Sequence, residues 1–330
     1  MTKTNVEILF EWLDEVTADV QQYADEPYLD RLIIAMEVLL DREPFEEMDD
    51  LLTKRIRQAL DSIELTSFSS EDIRKAVQLA VLKGMKDATQ DQHLVTPDTV
   101  ALLIGYLANK LMQEKEVVRL FDPVSGAGNL LTAVMEQLKK NTVAYGSEVD
   151  PTLIQLAALN ANLQQKEIEF FHQDSLRPFL LDPVDLVVAD LPVGYYPDDF
   201  IANRYQLKAD EGHSYSHHLL IEQSLKYTNE AGYAIFVIPE FLFNSDQSEK
   251  LYHFLQEHAH IVGVIRLPES AFASKKKMKS ILILQKIGEN TKNPKQPMLV
   301  QMPSFKNAQA MEDILAQMNA WLKEYKDRRK

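Results

Sequence analysis

Residues 121–129 read Phe-Asp-Pro-Val-Ser-Gly-Ala-Gly-Asn, and this segment constrains the fold more than any other. An apolar run ends at Asp122, two close glycines follow, and an apolar helix-like stretch begins at once. This order predicts a strand that ends in a tight turn at the start of a helix. Gly126 and Gly128 allow a positive φ and leave the main chain open to close approach by a ligand.

The residues around this turn favour a nucleoside ligand. Glu148 ends the next strand-like run, about 20 residues past the turn, where doubly wound domains that bind adenosine place a ribose carboxylate. Leu131 stands where a dinucleotide fold has its third glycine, and no Lys-Ser or Lys-Thr pair follows the turn, so pyrophosphate is not indicated. S-adenosylmethionine fits better, because it joins adenosine to a cationic methionine moiety that Asp122 is placed to meet.

Composition narrows the class of protein. The chain has 330 residues and a formal net charge of −15. It has no cysteine, which excludes disulfides, thiolate catalysis and cysteine zinc sites. No apolar stretch reaches the ~18 residues of a bilayer span, and the N-terminus lacks a signal-peptide layout, so we expect a cytoplasmic protein without a membrane partner. The negative charge is concentrated in residues 1–90. Because an acidic surface opposes sequence-independent duplex binding, contact with nucleic acid requires a local patch or a partner.

The acidic segment 1–90 is predicted to form an N-terminal all-α domain. Thr4 and Glu7 have the spacing of a capping box at the start of the first helix. Four apolar stripes recur at helical spacing along the segment, and they begin at Ile8, Leu29, Met48 and Ile73. These stripes predict the core of a small bundle.

From Thr96 onward the pattern changes to alternating strands and helices. Five strand-like runs separated by amphipathic stretches lie at 117–121, 143–148, 168–172, 186–189 and 233–238. Two later runs, 261–267 and 280–285, have no helix between them and predict an antiparallel, hairpin-like edge. The predicted fold class is therefore α/β, with a doubly wound, mostly parallel seven-stranded sheet. Its domain covers residues 91–288, and residues 289–330 form a linker, a short strand and a C-terminal helix.

A second informative segment, 185–196, reads Asp-Leu-Val-Val-Ala-Asp-Leu-Pro-Val-Gly-Tyr-Tyr. A buried strand carries Asp190 and Pro192 to the carboxyl edge of the sheet, where open α/β sheets bind ligands. The order of acid, any residue and proline resembles the Asn/Asp-Pro-Pro-aromatic motif of amino-methyltransferases. An amine conjugated to a purine or an amide is a poor nucleophile. The Asp190 carboxylate and the Leu191 carbonyl can accept its two N–H groups and aim its lone pair at a methyl group.

Two positions depart from that motif. Leu191 replaces its first proline, and Val193 replaces the aromatic residue that stacks on a flipped base. Tyr195 and Tyr196 follow closely, and on a bent loop either could supply the stacking ring. The alternative is that Asp190 and its neighbours only end a strand.

The whole arrangement resembles the class I S-adenosylmethionine-dependent methyltransferases. It is more narrowly similar to the modification subunit of type I restriction systems, an N6-adenine DNA methylase, and to the YtxK-like methyltransferases. The resemblance covers residues 93–287, and the helical segment in front suits an N-terminal domain of that group. The matching segments are 93–98, 122–131, 146–151, 173–176, 190–192 and 265–272.

The resemblance implies which residues hold the methionine end of S-adenosyl-L-methionine. Thr96 and Pro97 would cover this end of the cofactor. Asp122, Gly126 and Gly128 would contact its amino acid portion. Their order in the chain places them on the glycine turn and on the segment that precedes the first helix of the α/β domain.

The adenosine end is assigned in the same way. Glu148 would accept both ribose hydroxyls, Val149 would pack on the adenine face, and Asp174 would accept a hydrogen bond from the adenine amino group. Asp174 and Ser175 can also simply form a turn. The other residues of the predicted cofactor site are Pro123, Ser125, Asn129, Leu130 and Ser175. The predicted catalytic residues are Asp190, Leu191, Pro192, Tyr195 and Tyr196.

Three histidines, His213, His217 and His218, cluster ahead of a predicted helix. A metal site needs convergent ligands at fixed spacing, and no cysteine or His-Glu-x-x-His pattern accompanies them. We expect them to border the substrate cleft without binding a metal. The absence of Gly-x-Ser-x-Gly gives a hydrolase little support.

One dense basic run lies within the α/β segment. Its members are Lys275, Lys276, Lys277 and Lys279. Such a run is usually a solvated loop, but it can also contact phosphates beside the substrate edge. If DNA is a partner, this run is the candidate local patch. The N-terminal helical domain is the candidate surface for a second copy or a partner subunit.

The sequence therefore predicts an S-adenosylmethionine-dependent methyltransferase of an exocyclic amine, with adenine N6 in DNA as the first choice. Methylation of RNA or of a protein amide is the alternative among enzymes, because related motifs serve those substrates. The alternative from another class of protein is a non-catalytic protein that binds S-adenosylmethionine. Two features favour this alternative, namely Val193 in place of the aromatic residue and the acidic surface. No segment resembles a DNA-reading domain, so target selection falls to the N-terminal segment or to a separate subunit.

Overall fold

A computed structural model of the chain describes residues 3–46, 48–86, 95–272 and 278–327. The N-terminal segment forms four helices, which are α1 (Asn5–Asp19), α2 (Tyr28–Asp41), α3 (Asp50–Asp61) and α4 (Ser70–Lys86). All four predicted helices are present. The predicted capping box is confirmed, because Thr4 Oγ1 accepts a hydrogen bond from the main-chain N of Glu7 at 3.3 Å and Thr4 N donates to Glu7 Oε2 at 2.8 Å.

The α/β part contains eight strands and seven helices in the described ranges. The strands are β1 (Val117–Asp122), β2 (Asn141–Glu148), β3 (Ile168–His172), β4 (Val184–Asp190), β5 (Thr228–Pro239), β6 (Ala259–Arg266), β7 (Lys279–Lys286) and β8 (Met298–Gln301). The helices are α5 (Asp98–Leu111), α6 (Asn129–Leu138), α7 (Pro151–Leu163), α8 (Asp199–Ala202), α9 (Ser216–Lys226), α10 (Ser248–His258) and α11 (Ala308–Asp327). None of these helices combines the length with the hydropathy that a membrane crossing requires.

The strands form one sheet in the order β3-β2-β1-β4-β5-β7-β6-β8, which confirms the doubly wound, mostly parallel α/β fold. Helices α5, α6 and α11 cover one face of the sheet, and α9 and α10 cover the other. Successive residues of β4 therefore enter different cores: Leu186 and Val188 face the first set of helices, whereas Val187 and Ala189 face the second. Burial on both faces explains why residues 186–189 of β4 are all apolar.

The sheet differs from the prediction in two respects. It has eight strands in the described part of the chain, not seven, because β8 pairs parallel with β6. The pair β6 and β7 is antiparallel as predicted, but it is not a simple edge, since β7 lies between β5 and β6. The residues of β7 between its two ends are buried, as expected for a strand with partners on both sides. Strand order depends on tertiary pairing, which the apolar runs do not encode.

The N-terminal helices and the α/β part share a buried surface. The core of α1 to α4 continues into four leucines on one side of α7, namely Leu153, Leu156, Leu159 and Leu163. Helix α7 follows β2, whose last residue is the predicted ribose ligand Glu148. The helical segment therefore packs directly behind the predicted ligand site.

Candidate active site

The predicted acids come together where the strand order reverses. Strands β2 and β3 lie on one side of β1, and β4 and β5 lie on the other, so a crevice opens at the carboxyl ends of β1 and β4. A cavity of about 380 Å³ occupies this place, and the terminal residues of β1, β2 and β4 line it: Asp122, Glu148 and Asp190.

The two glycines of the turn serve different purposes. Gly126 has φ +52° and lines the cavity, and a Cβ built on it would meet no atom within 4 Å. Gly128 has φ +79° and precedes α6, and its Cβ would lie 3.4 Å from both Cα and Cβ of Ala157. Gly126 thus leaves room for a ligand, while Gly128 permits close packing of the turn on α7.

Glu148 links the end of β2 to the glycine turn. Its Oε2 accepts a hydrogen bond from the main-chain N of Gly126 at 3.0 Å. Its Oε1 accepts from the main-chain N of Val149 at 2.8 Å and from that of Asp150 at 3.0 Å. A carboxylate offers about four acceptor positions, so three main-chain bonds orient Glu148 and leave about one position for a ligand hydroxyl. Acceptance of both ribose hydroxyls stays a prediction, and it requires one oxygen position to be shared.

Asp122 is fully buried, and its Oδ1 accepts a hydrogen bond from the main-chain N of Val124 at 3.0 Å. Burial raises the pKa of Asp122 to about 8, the hydrogen bond from Val124 opposes this shift, and the nearby charges of Glu148 and Asp190 add to it. A cation that enters the cavity would favour the charged form. The pocket is therefore built to receive positive charge.

Asp190 is engaged through both oxygens of its carboxylate. Its Oδ1 accepts from Lys279 Nζ at 2.5 Å, and its Oδ2 accepts from Thr96 Oγ1 at 3.1 Å. The sequence indicates Lys279 only as one member of a basic run. Its place beside Asp190 results from pairing between β5 and β7, which the linear pattern does not contain.

Arg74 is a second residue that the sequence analysis missed. This α4 side chain is fully buried, and its Nη1 donates to a carboxylate oxygen of Asp98 and, at 3.0 Å, to Asn129 Oδ1. Asn129 Nδ2 in turn donates to the main-chain O of Thr96 at 3.1 Å. The helical segment therefore anchors both the first residue of α6 and the Thr96 segment. The sequence contained one sign of this role, which is an arginine among the apolar residues of α4.

Most of the predicted site residues line the cavity. They are Thr96, Asp122, Ser125, Gly126, Asn129, Leu130, Glu148, Val149, Asp190, Leu191 and Pro192. The remaining predicted residues lie outside the lining: Pro97, Pro123, Gly128, Asp174, Ser175, Tyr195 and Tyr196. Ser175 is buried, and its hydroxyl donates to the main-chain O of Pro123, so this pair supports the turn from behind.

The two tyrosines differ in accessibility. Tyr196 is buried, and its hydroxyl donates to Asp174 Oδ2. Tyr195 is 58% exposed and stacks on Tyr215, with ring centroids 4.9 Å apart. The stacking role stays a prediction, and Tyr195 is the more accessible of the two. An aromatic residue that the sequence analysis did not select, Phe241, lines the cavity itself and is 41% exposed.

Two of the three histidines are interior residues of α9, whereas His213 lies ahead of this helix, is exposed and contacts Asp199 at 3.1 Å. His217 and His218 are fully buried, and burial lowers their pKa values to about 3 and about 4, so both are neutral. His217 lies edge-on to Phe241, with ring centroids 6.1 Å apart, and thus backs the cavity wall. Of the basic run, Lys275, Lys276 and Lys277 lie outside the described residues.

This fold, with carboxylates at the carboxyl ends of three adjacent strands, defines an S-adenosylmethionine-dependent methyltransferase. The chain belongs to the N-6 DNA Methylase family, whose model matches residues 84–327. Residues 7–85 match the YtxK N-terminal helical domain.

The chain is also similar to individual proteins along most of its length. The protein YtxK of Bacillus subtilis (strain 168) is 45% identical over 329 residues, which cover 99% of this chain and 100% of YtxK. A crystal structure of a proposed class I S-adenosylmethionine-dependent methyltransferase from Listeria monocytogenes has a TM-score of 0.90 and 38% identity, covering 96% of this chain and 99% of that one. The type I restriction-modification methyltransferase subunit of Streptococcus thermophilus shares the fold, with a TM-score of 0.65 and 15% identity, over 96% of this chain and 74% of that one.

The cavity suits the cofactor of this family, S-adenosylmethionine. Three carboxyl groups and one lysine are the ionisable residues of its described lining, so it favours a ligand that carries positive charge and hydroxyl groups. The open space over Gly126 lets such a ligand reach the main chain. The lining residues that would hold it are Asp122, Glu148 and Gly126.

Replacement of Glu148 by alanine is expected to weaken S-adenosylmethionine binding about 10- to 100-fold, because the ligand loses an oriented acceptor. Titration calorimetry on the purified proteins measures the change. Glu167→Ala, which removes an exposed carboxylate outside the cavity, is the matched control and should bind like wild type. If all three proteins bind S-adenosylmethionine with equal affinity, Glu148 does not contribute to cofactor binding.

Proposed function

We propose that this protein transfers a methyl group from S-adenosylmethionine to an exocyclic amine, with adenine N6 in DNA as the acceptor. The observation that carries the proposal is Asp190, which ends β4 inside the cofactor cavity and already holds a nitrogen donor at 2.5 Å. A carboxylate in this position can orient an amine. Membership in the N-6 DNA Methylase family supports adenine as the base that carries this amine.

The reaction needs an amine whose lone pair is localised and aimed. When bound, the cofactor supplies an electrophilic methyl group on a sulfonium. The Asp190 carboxylate and the Leu191 carbonyl accept the two N–H groups of the amine, so its lone pair points into the cavity. Val193 and Phe241 form an apolar wall at the same place, each 41% exposed, and can contact an acceptor ring. As the new C–N bond forms, the bond between the methyl carbon and sulfur would break and leave a neutral thioether. Asp190 stabilises the positive charge that develops on nitrogen until the methylated amine releases one N–H proton to solvent.

Methyl-labelled cofactor tests the proposal directly. The wild-type protein is incubated with duplex DNA, single-stranded DNA, RNA and a protein extract, and label is expected in N6-methyladenine of DNA. Asp190→Ala should lower the rate at least about 100-fold, because an oriented acceptor of the amine is lost.

Asp185→Ala is the matched control for that experiment. Asp185 is the second residue of the same strand and lies at the opposite end from Asp190, where it pairs with Lys115 Nζ at 2.8 Å. This variant should retain transfer if its fold is intact. If label appears only in RNA or in a protein amide, that molecule and not DNA is the substrate. Equal rates for Asp190→Ala and wild type would refute the role of Asp190.

A non-catalytic protein that binds S-adenosylmethionine is the second candidate. The ion pair of Lys279 with Asp190 favours it, since this pair occupies the carboxylate that an acceptor needs. Cofactor binding in the calorimeter, together with no labelled product in any nucleic acid or protein fraction, would select this candidate. One defined methylated product would reject it.

Target selection is proposed to depend on a second protein surface. The helical segment at the N-terminus packs behind the site through α7, and a subunit or a second copy bound there lies close to the cavity. The basic run of Lys275, Lys276, Lys277 and Lys279 is the proposed phosphate contact, but its described member, Lys279, is only 12% exposed and pairs with Asp190. Mass measurement in solution with and without target DNA tests the association.

A further inference from the structure

Lys279 occupies a position that no part of the methyl-transfer motif accounts for. It is the first residue of β7 and pairs in register with Pro239, the last residue of β5. Because β5 lies beside β4, this register brings the lysine side chain across to the end of β4. Its Nζ contacts Asp190 Oδ1 at 2.5 Å, and the two side chains are only 12% and 10% exposed.

This contact conflicts with the role proposed for Asp190. The carboxylate must accept an N–H group from the acceptor amine, yet Lys279 Nζ holds Oδ1 and Thr96 Oγ1 holds Oδ2. Lys279 and Thr96 each take one of the about four acceptor positions of this carboxylate, and the Lys279 ammonium lies directly beside Oδ1. Lys279 therefore competes with the acceptor nitrogen for Asp190.

The charges of the cavity indicate what can move Lys279 away. Among the described residues that line the cavity, Lys279 is the one cation, beside the carboxylates of Asp122, Glu148 and Asp190. S-adenosylmethionine carries a sulfonium and an ammonium against a single carboxylate. A cavity of about 380 Å³ that holds both this ligand and Lys279 brings like charges together at low dielectric. Repulsion between them weakens the attraction of Lys279 to Asp190.

We propose that Lys279 is a positioning residue that closes the acceptor position until the cofactor is bound. In the cofactor-free protein its ammonium pairs with Asp190, and the positive charge of S-adenosylmethionine loosens this pair and frees the carboxylate for the amine. The inference rests on the proposed function. Because coupling between two binding events is reciprocal, removal of the lysine charge must strengthen binding of the cationic cofactor.

The test compares two ligands that differ in this charge. S-adenosylmethionine has a sulfonium, whereas S-adenosylhomocysteine has a neutral thioether in the same place. Calorimetry is carried out with both on wild type, Lys279→Met and Lys115→Met. Lys279→Met is expected to bind S-adenosylmethionine at least about 5-fold more tightly and S-adenosylhomocysteine within about 2-fold of wild type. Lys115, which pairs with Asp185 at the other end of β4, is the matched control, and its variant should leave both affinities unchanged.

A third variant keeps the inference testable if Lys279→Met does not fold. Lys279→Gln retains an N–H donor for Asp190 without the charge, and it should change the ratio of the two affinities in the same direction. The double variant Lys279→Met with Asp190→Asn restores the wild-type net charge of the cavity, so its ratio should return to the wild-type value.

Two results would overturn the inference. One is an equal change for both ligands in Lys279→Met and Lys279→Gln, which means that Lys279 acts through shape alone. The other is weaker binding of S-adenosylmethionine in either variant. No methyl acceptor is present in these titrations, so a failure to methylate DNA would refute the proposed function without altering their outcome.

Discussion

Replacement of Arg74 by alanine is expected to lower the free energy of unfolding by about 3 kcal/mol or more, because it removes one partner of a buried pair and leaves a cavity. The guanidinium is fully buried and donates to Asp98 and Asn129. Urea unfolding monitored by circular dichroism measures the effect. Since Asn129 begins α6 directly after the glycine turn, cofactor affinity should fall as well.

Two further variants define the cause of that loss. Arg55→Ala removes an exposed arginine that contacts Asp19 at 3.5 Å, and it should change stability by less than about 1 kcal/mol. Arg74→Met keeps most of the side-chain volume. Nε and Nη2 of Arg74 have no hydrogen-bond partner among the described residues, so methionine should be less damaging than alanine. If Arg74→Ala is no worse than Arg55→Ala, the buried network does not hold the two parts together.

Local patterns in the sequence were sufficient to predict most elements of the fold. The capping box of Thr4 and Glu7 lies within one turn, and the apolar stripes of α1 to α4 follow helical periodicity, so neither depends on distant residues. The position of β7 between β5 and β6 does depend on them. Strand order is decided by which pairing buries the most apolar surface, and a run such as 280–285 is compatible with several neighbours.

The candidate site also contains some residues that the sequence predicts and others that it does not. Asp122, Glu148 and Asp190 each end a strand, and the carboxyl ends of parallel strands converge at one edge, so their meeting in one cavity followed from the sequence. Arg74 and Lys279 come from helices or strands whose packing the linear pattern leaves open. Both make ion pairs with residues 24 and 89 positions away, respectively. Contacts of this kind become visible only when the tertiary structure is known.

Replacement of Asp122 by asparagine is expected to stabilise the cofactor-free protein increasingly as pH rises. Burial raises the pKa of Asp122 to about 8, above the ordinary value of 3.8. A group with a raised pKa contributes stability that is complete below about pH 4 and is lost progressively up to about pH 8. Asparagine is neutral throughout, so between pH 5 and pH 8 its advantage over wild type should grow by about 2–4 kcal/mol. Urea unfolding at the two pH values measures this change.

Asp185 provides the control with the opposite sign. Burial opposes its ionisation, but hydrogen bonds from Lys115 and from the main chain of Arg119 outweigh burial and lower the pKa of Asp185. Its stabilisation is present above the ordinary carboxyl pKa and is lost only as the solution becomes acidic. Asp185→Asn should therefore be less stable than wild type by a constant amount from pH 5 to pH 8. An advantage of Asp122→Asn that does not vary with pH would contradict the assigned ionisation.

Saturating S-adenosylmethionine should reduce the stability advantage of Asp122→Asn over wild type at pH 8. The charged carboxylate that destabilises the empty cavity attracts a cationic ligand, and a ligand that binds the native state at 100 times its Kd stabilises that state by about 2.7 kcal/mol. The asparagine variant has lost this attraction and should gain much less at the same concentration. Thermal unfolding with and without cofactor measures this reduction. Equal stabilisation of both proteins would mean that Asp122 does not face the positive charge of the cofactor, and that its burial serves the fold alone.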